Sequence, residues 1–309
     1  MIAARASQTV VRPPLLGAGA RVALVAPAGP LRGPADLERA ESNARALGWE
    51  PVVGAHALER ACYFAGPDRA RLEDLNAALA DPRIDGVWCI RGGYGAMRLL
   101  PEVDFGALAA RPRPLIGYSD VTALHCGAAA CVPGLVTFHG PTARGGLTPF
   151  SRASLERAIV TGGDPCGEAP GARTVRPGRA AGRLAGGNLA LLAALAGTPW
   201  APRFDGAIVV LEDVNEAVYR VDRMLRQLLL AGAFDGCAAV AFGECTDSAE
   251  ESADDGRRTL DDVVAEVADA LGVPAVAGLP VGHIDDQWTL PLGAVAHLDA
   301  DARALHVEW

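Results

Sequence analysis

The stretch Pro114-Leu115-Ile116-Gly117-Tyr118-Ser119-Asp120-Val121-Thr122 constrains the fold most. A short apolar run stops at a glycine, a serine follows two residues later, and an alanine-rich helical pattern begins at once. That order predicts a strand, a sharp turn and a helix N-terminus. The same grammar repeats along the first half of the chain. Residues 22–26, 51–53, 86–90, 115–116 and 135–138 are strand-like. Residues 35–47 and 68–79 carry helical periodicity, with Gly48 as a C-terminal cap and Asp68 as an N-cap. Strands separated by helices of this length imply a parallel sheet covered by helices. Near residue 162 the periodicity fades into a run dense in Gly, Pro and Arg, which reads as an inter-domain connection. It then restarts, with helices expected at 187–195, 216–230 and 257–271, strands at 207–211 and 237–242, and a closing hairpin of 294–298 with 304–307. The expected organisation is an N-terminal α/β domain over 1–162, a linker over 163–183 and a smaller α/β domain over 184–309.

Composition narrows the function classes. Half of the 309 residues are hydrophobic, enough for two ordinary domains. No uninterrupted apolar run reaches the roughly 20 residues that span a bilayer. The first residues carry Arg5, Arg12, Pro13 and Pro14 and no clean apolar segment before a cleavage site, so no leader peptide is expected. The net charge is −9, and every one of the 28 basic residues is arginine. This balance argues against nucleic acid, which requires clustered cations. The absence of lysine removes Schiff-base and Ser-Lys mechanisms. Seven cysteines, an odd number without a C-x-x-C pair, read as buried thiols in a reducing, cytoplasmic compartment. Zinc is not expected, because neither paired cysteines nor H-E-x-x-H occur. The acidic run 247–255 reads as a solvated surface segment.

Four motifs could carry chemistry. A serine at the turn 117–120 serves either as a helix N-cap or as a nucleophile held out from the sheet edge, where the free helix N–H groups favour negative charge. Arg91-Gly92-Gly93-Tyr94-Gly95 follows a strand but matches neither phosphate-loop pattern. Its glycines make either a plain turn or a close backbone approach to a ligand at the C-terminal edge of the sheet. A serine nucleophile needs a base and an orienting carboxylate. Among six histidines, His125 falls on the far side of its helix from Ser119, and His297 and His306 sit in the hairpin. His139, at a strand end, and His283, in a loop between glycine and two acids, are the candidates for the base; a surface histidine is the plain alternative. Glu212-Asp213 ends a buried strand and offers the carboxylate, or is an ordinary polar terminus.

The order of Arg91-Gly92-Gly93-Tyr94-Gly95, Gly117-Tyr118-Ser119-Asp120, Phe138-His139-Gly140-Pro141, Gly186-Gly187-Asn188-Leu189, Leu211-Glu212-Asp213 and Gly282-His283 resembles the serine LD-carboxypeptidase family, which includes muramoyltetrapeptide carboxypeptidases and microcin C immunity hydrolases. The likeness runs from about Val22 to about Leu298. It implies a flavodoxin-like N-terminal domain, a smaller α/β C-terminal domain and an active site in the cleft between them. It also implies a triad of Ser119, Glu212 and His283, with the backbone N–H groups of Gly93 and Asp120 as oxyanion donors. A homodimer, a peptide substrate and no cofactor or metal follow from the same resemblance. Expected activity is removal of a C-terminal D-amino acid, D-alanine of a murein tetrapeptide, in peptidoglycan recycling. Hydrolysis of a peptidyl-nucleotide of the microcin C type, with Trp288 or Trp200 on the base, and non-catalytic peptide binding are the alternatives. A carboxypeptidase must hold a terminal carboxylate, for which Arg91 and Arg183 flank the glycine motifs. Arg91, Tyr118 and Asn188 are the expected substrate contacts.

Overall fold

The computed structural model describes residues 9–248 and 258–308. In chain order it contains β1 (Arg21–Val25), α1 (Pro34–Ala46), β2 (Glu50–Val53), α2 (Asp68–Ala80), β3 (Gly86–Cys89), α3 (Phe105–Ala110), β4 (Leu115–Gly117), α4 (Thr122–Cys131), β5 (Thr137–His139) and α5 (Pro149–Glu156). These are followed by β6 (Gly167–Glu168), β7 (Arg173–Arg176), β8 (Arg179–Asn188), α6 (Leu189–Leu195), β9 (Ala207–Val214), α7 (Val218–Leu230), β10 (Ala239–Thr246) and α8 (Leu260–Leu271). The chain closes with β11 (Ala275–Ala277), β12 (Leu290–Leu292), β13 (Val295–Asp299) and β14 (Ala304–Val307).

Two sheets form. The first has the order β12-β5-β4-β3-β1-β2. Its β2-β1-β3-β4-β5 part is wholly parallel, as the alternation of strands and helices requires, and has the flavodoxin-like order. The second has the order β6-β14-β13-β8-β9-β10-β11-β7, with a parallel centre from β8 to β11 and antiparallel flanks. Side-chain alternation sorts the core. On β9, Ile208 and Val210 enter a cluster shared with Trp88 and Phe138 of the first sheet, while Val209 and Leu211 pack with Leu192, Leu225 and Val263 on the opposite face. The first sheet buries its other face on α2, α3 and α4 through Leu75, Leu108 and Leu124. Each such side chain, once fully buried, contributes about 1.5–3 kcal/mol.

Three expectations need correction. The stretch 163–183 is not a bare connection: it supplies β6, β7 and the first half of β8. Its glycines masked the strand pattern because they sit where backbones nearly touch. A Cβ on Gly182 would lie 2.4 Å from the Gly206 carbonyl oxygen, and one on Gly186 would lie 1.9 Å from that of Val210. Second, β12 crosses back to pair antiparallel with β5, so a strand from the C-terminal part completes the first sheet. Third, Asp68 does not cap α2. It is the first helical residue, after Pro67, and pairs with Arg71 and Arg98. The closing hairpin appears as β13 and β14, with Ala296 opposite Val307. Residues 249–255 of the expected acidic surface segment lie outside the described residues.

Gly186 also has φ 121°, in the region that favours glycine. Gly186→Ala should cost about 3 kcal/mol or more, because the clash is with backbone. Gly146→Ala, where nothing lies within 4 Å, should change stability by about 1 kcal/mol or less. Urea midpoints of the two variants test this; equal midpoints would contradict the packing argument.

Candidate active site

The turn after β4 is built around an uncommon backbone conformation. Ser119 has φ 63°, a left-handed value that a non-glycine residue adopts at a cost of order 1–3 kcal/mol. Ser119 is not the cap of α4. The residue preceding that helix is Val121, and no side chain caps it. The Ser119 hydroxyl makes no hydrogen bond among the described residues, so the turn leaves it uncommitted.

The glycine loop closes on this serine. A Cβ on Gly92 would sit 2.9 Å from Ser119 Cβ and 3.0 Å from its Oγ, so only glycine permits the approach. The Gly29 N–H donates to the Gly92 carbonyl at 2.9 Å, and a Cβ on Gly93 would meet Gly29 Cα at 3.0 Å. Gly93 itself has φ 108°. The Asp120 side chain ties the loop from the other side, accepting from the Ala96 N–H at 2.7 Å. Asp120 is 1 % exposed, and burial pushes its carboxyl up to about 6.

Glu212 comes from β9 and His283 from the loop after β11. Neighbours on a strand point to opposite faces, so only one of Glu212 and Asp213 can face the turn. Glu212 is fully buried, and its Oε2 accepts from His283 Nδ1 at 2.9 Å. Asp213 faces the other way and binds Asn188 Nδ2 at 3.0 Å and the Ala190 N–H at 2.9 Å. A register shift in β10 between Phe242 and Cys245 lets the histidine loop approach. There the Glu244 N–H donates to the Val281 carbonyl at 2.8 Å, and a Cβ on Gly243 would lie 2.4 Å from that oxygen. Gly282, with φ 124°, packs over Glu212: a Cβ there would be 3.3 Å from Oε2. The Glu212 carboxylate can only accept, so the bond places the imidazole proton on Nδ1 and leaves Nε2 as a base.

Tyr118 joins the serine turn to the histidine. Its ring centroid is 4.9 Å from that of His283 and 6.0 Å from that of His139. Burial, then the nearby Glu212 charge, raises the Tyr118 phenol. Asn188 accepts from the Leu191 N–H at 3.3 Å and holds Asp213, so its side chain anchors the start of α6. Its own N–H donates to Thr122 Oγ1 at 3.0 Å, linking β8 to α4. Arg91 lies beside Gly29 and Gly93 and bonds the Pro30 carbonyl, whereas Arg183 lines a separate cavity. His125 is buried, with Nε2 donating to the Gly117 carbonyl at 2.8 Å. His139 is fully buried beneath the site, and both its ring nitrogens lack a partner. Sequence reasoning passed over Gly29, whose only signal was a Pro-Ala-Gly-Pro loop after an apolar run, and Thr122, which had none.

The arrangement puts a hydroxyl on a strained turn, an imidazole oriented by a buried carboxylate and a glycine loop at one edge of two parallel sheet centres. That assembly is suited to acyl transfer.

Two family models match the chain. Residues 22–140 match the LD-carboxypeptidase N-terminal domain, and residues 181–298 match the LD-carboxypeptidase C-terminal domain. The murein tetrapeptide carboxypeptidase of Pseudomonas aeruginosa is 38% identical over 300 residues, covering 91% of this chain and 94% of the relative. The microcin C7 self-immunity protein MccF of Escherichia coli is 28% identical over 295 residues, covering 84% of each chain. The crystal structure of a muramoyltetrapeptide carboxypeptidase from Oxalobacter formigenes superposes with a TM-score of 0.81 at 32% identity, covering 92% of this chain and 98% of that one.

Burial, followed by the charges of His125 and His283, holds the His139 imidazole down at about 3 against an ordinary 6.5. The unfolded chain therefore takes up a proton between those values and the folded one does not, so acidification costs stability. His139→Gln removes that penalty. Across the window from pH 6.5 to about 3, the variant should gain on the wild type by about 1.4 kcal/mol per pH unit. Parallel stability–pH curves for the two proteins would refute the buried neutral imidazole.

Proposed function

The chain belongs to the LD-carboxypeptidase family, and from that premise we propose that it is a serine carboxypeptidase acting through Ser119, His283 and Glu212. The observation that carries this reading is the 2.9 Å bond from His283 to a fully buried Glu212, with the His283 ring 4.9 Å from that of Tyr118, the residue before an uncommitted serine with φ 63°. Ser119 Oγ attacks the carbonyl of the terminal amide. His283 Nε2 takes the hydroxyl proton and returns it to the leaving amine, and water then repeats the sequence on the acyl-enzyme. Glu212 holds the tautomer and stabilises the imidazolium. The N–H groups of Gly93 and Asp120 receive the oxyanion, each worth about 3–4 kcal/mol in comparable sites. Asp120 thus has two uses: its N–H faces the oxyanion, and its carboxylate fixes the loop that carries the second donor.

For the substrate carboxylate, Arg91 is favoured over Arg183 by position, since it flanks the glycine loop. Burial, then the neighbouring Arg144 and Arg32 charges, lowers its guanidinium, which is the environment that an incoming carboxylate relieves. The substrate is a peptide ending in a D-amino acid, with murein tetrapeptide as the leading candidate because two relatives named for that activity span nearly the whole chain. The MccF likeness supports a peptidyl-nucleotide as the second candidate. Neither tryptophan offers a base-stacking face at the site: Trp288 is 2 % exposed in the core, and Trp200 lines the cavity that holds Arg183. The reading carries with it a cytoplasmic homodimer, which sedimentation can check.

Purified protein incubated with murein tetrapeptide should release D-alanine. Ser119→Ala should reduce release to background, and Glu212→Gln should lower kcat by about 10³–10⁴ with KM little changed. Release from a peptidyl-nucleotide but not from tetrapeptide would select the second substrate. No hydrolysis of either by a folded protein would overturn the peptidase reading.

A further inference from the structure

The chain has a second concavity, apart from the site above. A cavity of about 400 Å³ opens where α4 and the approach to β5 face β8, the start of α6 and the loop 199–204; Ser119, Glu212 and His283 are not among its lining residues. Its walls come from both sheets. Leu192, Ala129 and Trp200 make it apolar in part, and His125, Arg183 and Arg203 bring polar groups to it.

Two features distinguish it from an accidental gap. His125 is 3 % exposed and lines the cavity. Its Nε2 bonds the Gly117 carbonyl at 2.8 Å, and its Nδ1 is buried without a partner. A carbonyl only accepts, so the proton is on Nε2 and Nδ1 is a lone pair awaiting a donor. Burial holds this imidazole down at about 4, which keeps it neutral. Buried polar atoms are nearly always paired, and His125 brings an unpaired acceptor to the residues that line this cavity. The other feature is charge. Two arginines, one on β8 and one in an exposed loop, line one cavity in a protein of net charge −9. The planar fork of an arginine guanidinium suits a carboxylate.

We propose that this cavity is a second ligand site, which binds a small organic carboxylate carrying a hydrogen-bond donor and an apolar group, as in a hydroxy or amino acid with a bulky side chain. The carboxylate meets Arg183 and Arg203, the donor meets His125 Nδ1, and the apolar group lies against Trp200 and Leu192. Such a ligand bridges α4 of the first sheet and β8 of the second. It also reaches the serine turn, since His125 holds the carbonyl of Gly117, two residues before Ser119.

The probe is 3-phenyllactate, with 3-phenylpropionate as the analogue lacking the donor. Calorimetry should give one site with Kd of about 1 mM or tighter for phenyllactate and about fivefold weaker binding for phenylpropionate. Arg203→Gln should weaken phenyllactate by about tenfold, and Ala129→Trp, which fills the cavity, should abolish binding. Ser119→Ala should bind phenyllactate as the wild type does, because the catalytic turn is not the site. A crystal soaked with phenyllactate should show the carboxylate against the two arginines. Absence of binding, unchanged affinity in Arg203→Gln, density confined to the Ser119 cleft, or a second copy of the chain filling the cavity would each overturn the proposal.

Discussion

The left-handed backbone of Ser119 is the constraint on which the site depends. A serine does not adopt φ 63° for local reasons, so the surroundings must impose it. Gly92 presses against its Cβ, Gly29 holds Gly92, and the Asp120 carboxylate clamps the loop at Ala96. These contacts come from the loops after three adjacent parallel strands, β1, β3 and β4. Parallel strands bring such loops to one edge, so the arrangement that strains the serine also gathers its partners.

The second sheet reaches that edge by a different route. Its central strands are buried on both faces, and Glu212 enters this apolar layer with a histidine as its partner. A buried carboxylate without one would be costly. The glycines of β8 and the shift in β10 let backbones approach closely enough for the histidine loop to fold onto Glu212. Thr122 and Asn188 then join α4 to β8, and β12 joins the sheets a second time. The two halves are thus coupled at the strand edge where the proposed chemistry takes place.

Beneath this edge lies a layer of buried groups whose titration burial shifts in favour of the neutral form. His125 and His139 are held down, and Asp120 and Asp213 are pushed up to about 6, in each case mainly by burial. Between about pH 4 and 6 these shifts act in opposite directions on stability. The folded acids bind protons that the unfolded chain has released, and the folded histidines refuse protons that it accepts. A core that carries both kinds is less sensitive to mild acid than one that carries either alone.

Much of this was legible in the chain itself. Helical and strand periods placed α1, α2, α7, β3, β9 and the closing hairpin within a few residues, because burial on one face writes a period into the sequence. The alternation of strands and helices required a parallel sheet, and the ordered motifs pointed to Ser119, Glu212 and His283 as a set. Periodicity said nothing of contacts between distant backbones. The strands at 167–188 were hidden by glycines whose purpose is apparent only beside Val210 and Gly206. Sequence likewise left the Glu212-Asp213 pair open on chemical grounds; the facing of β9 sends one acid to His283 and the other to Asn188. The sequence by itself determined the elements and the residue types available for chemistry, since propensity and burial patterning are local. Only the tertiary structure decided the strain at Ser119, the tautomer of His283 and the cavity at His125, because each is set by groups far apart in the chain.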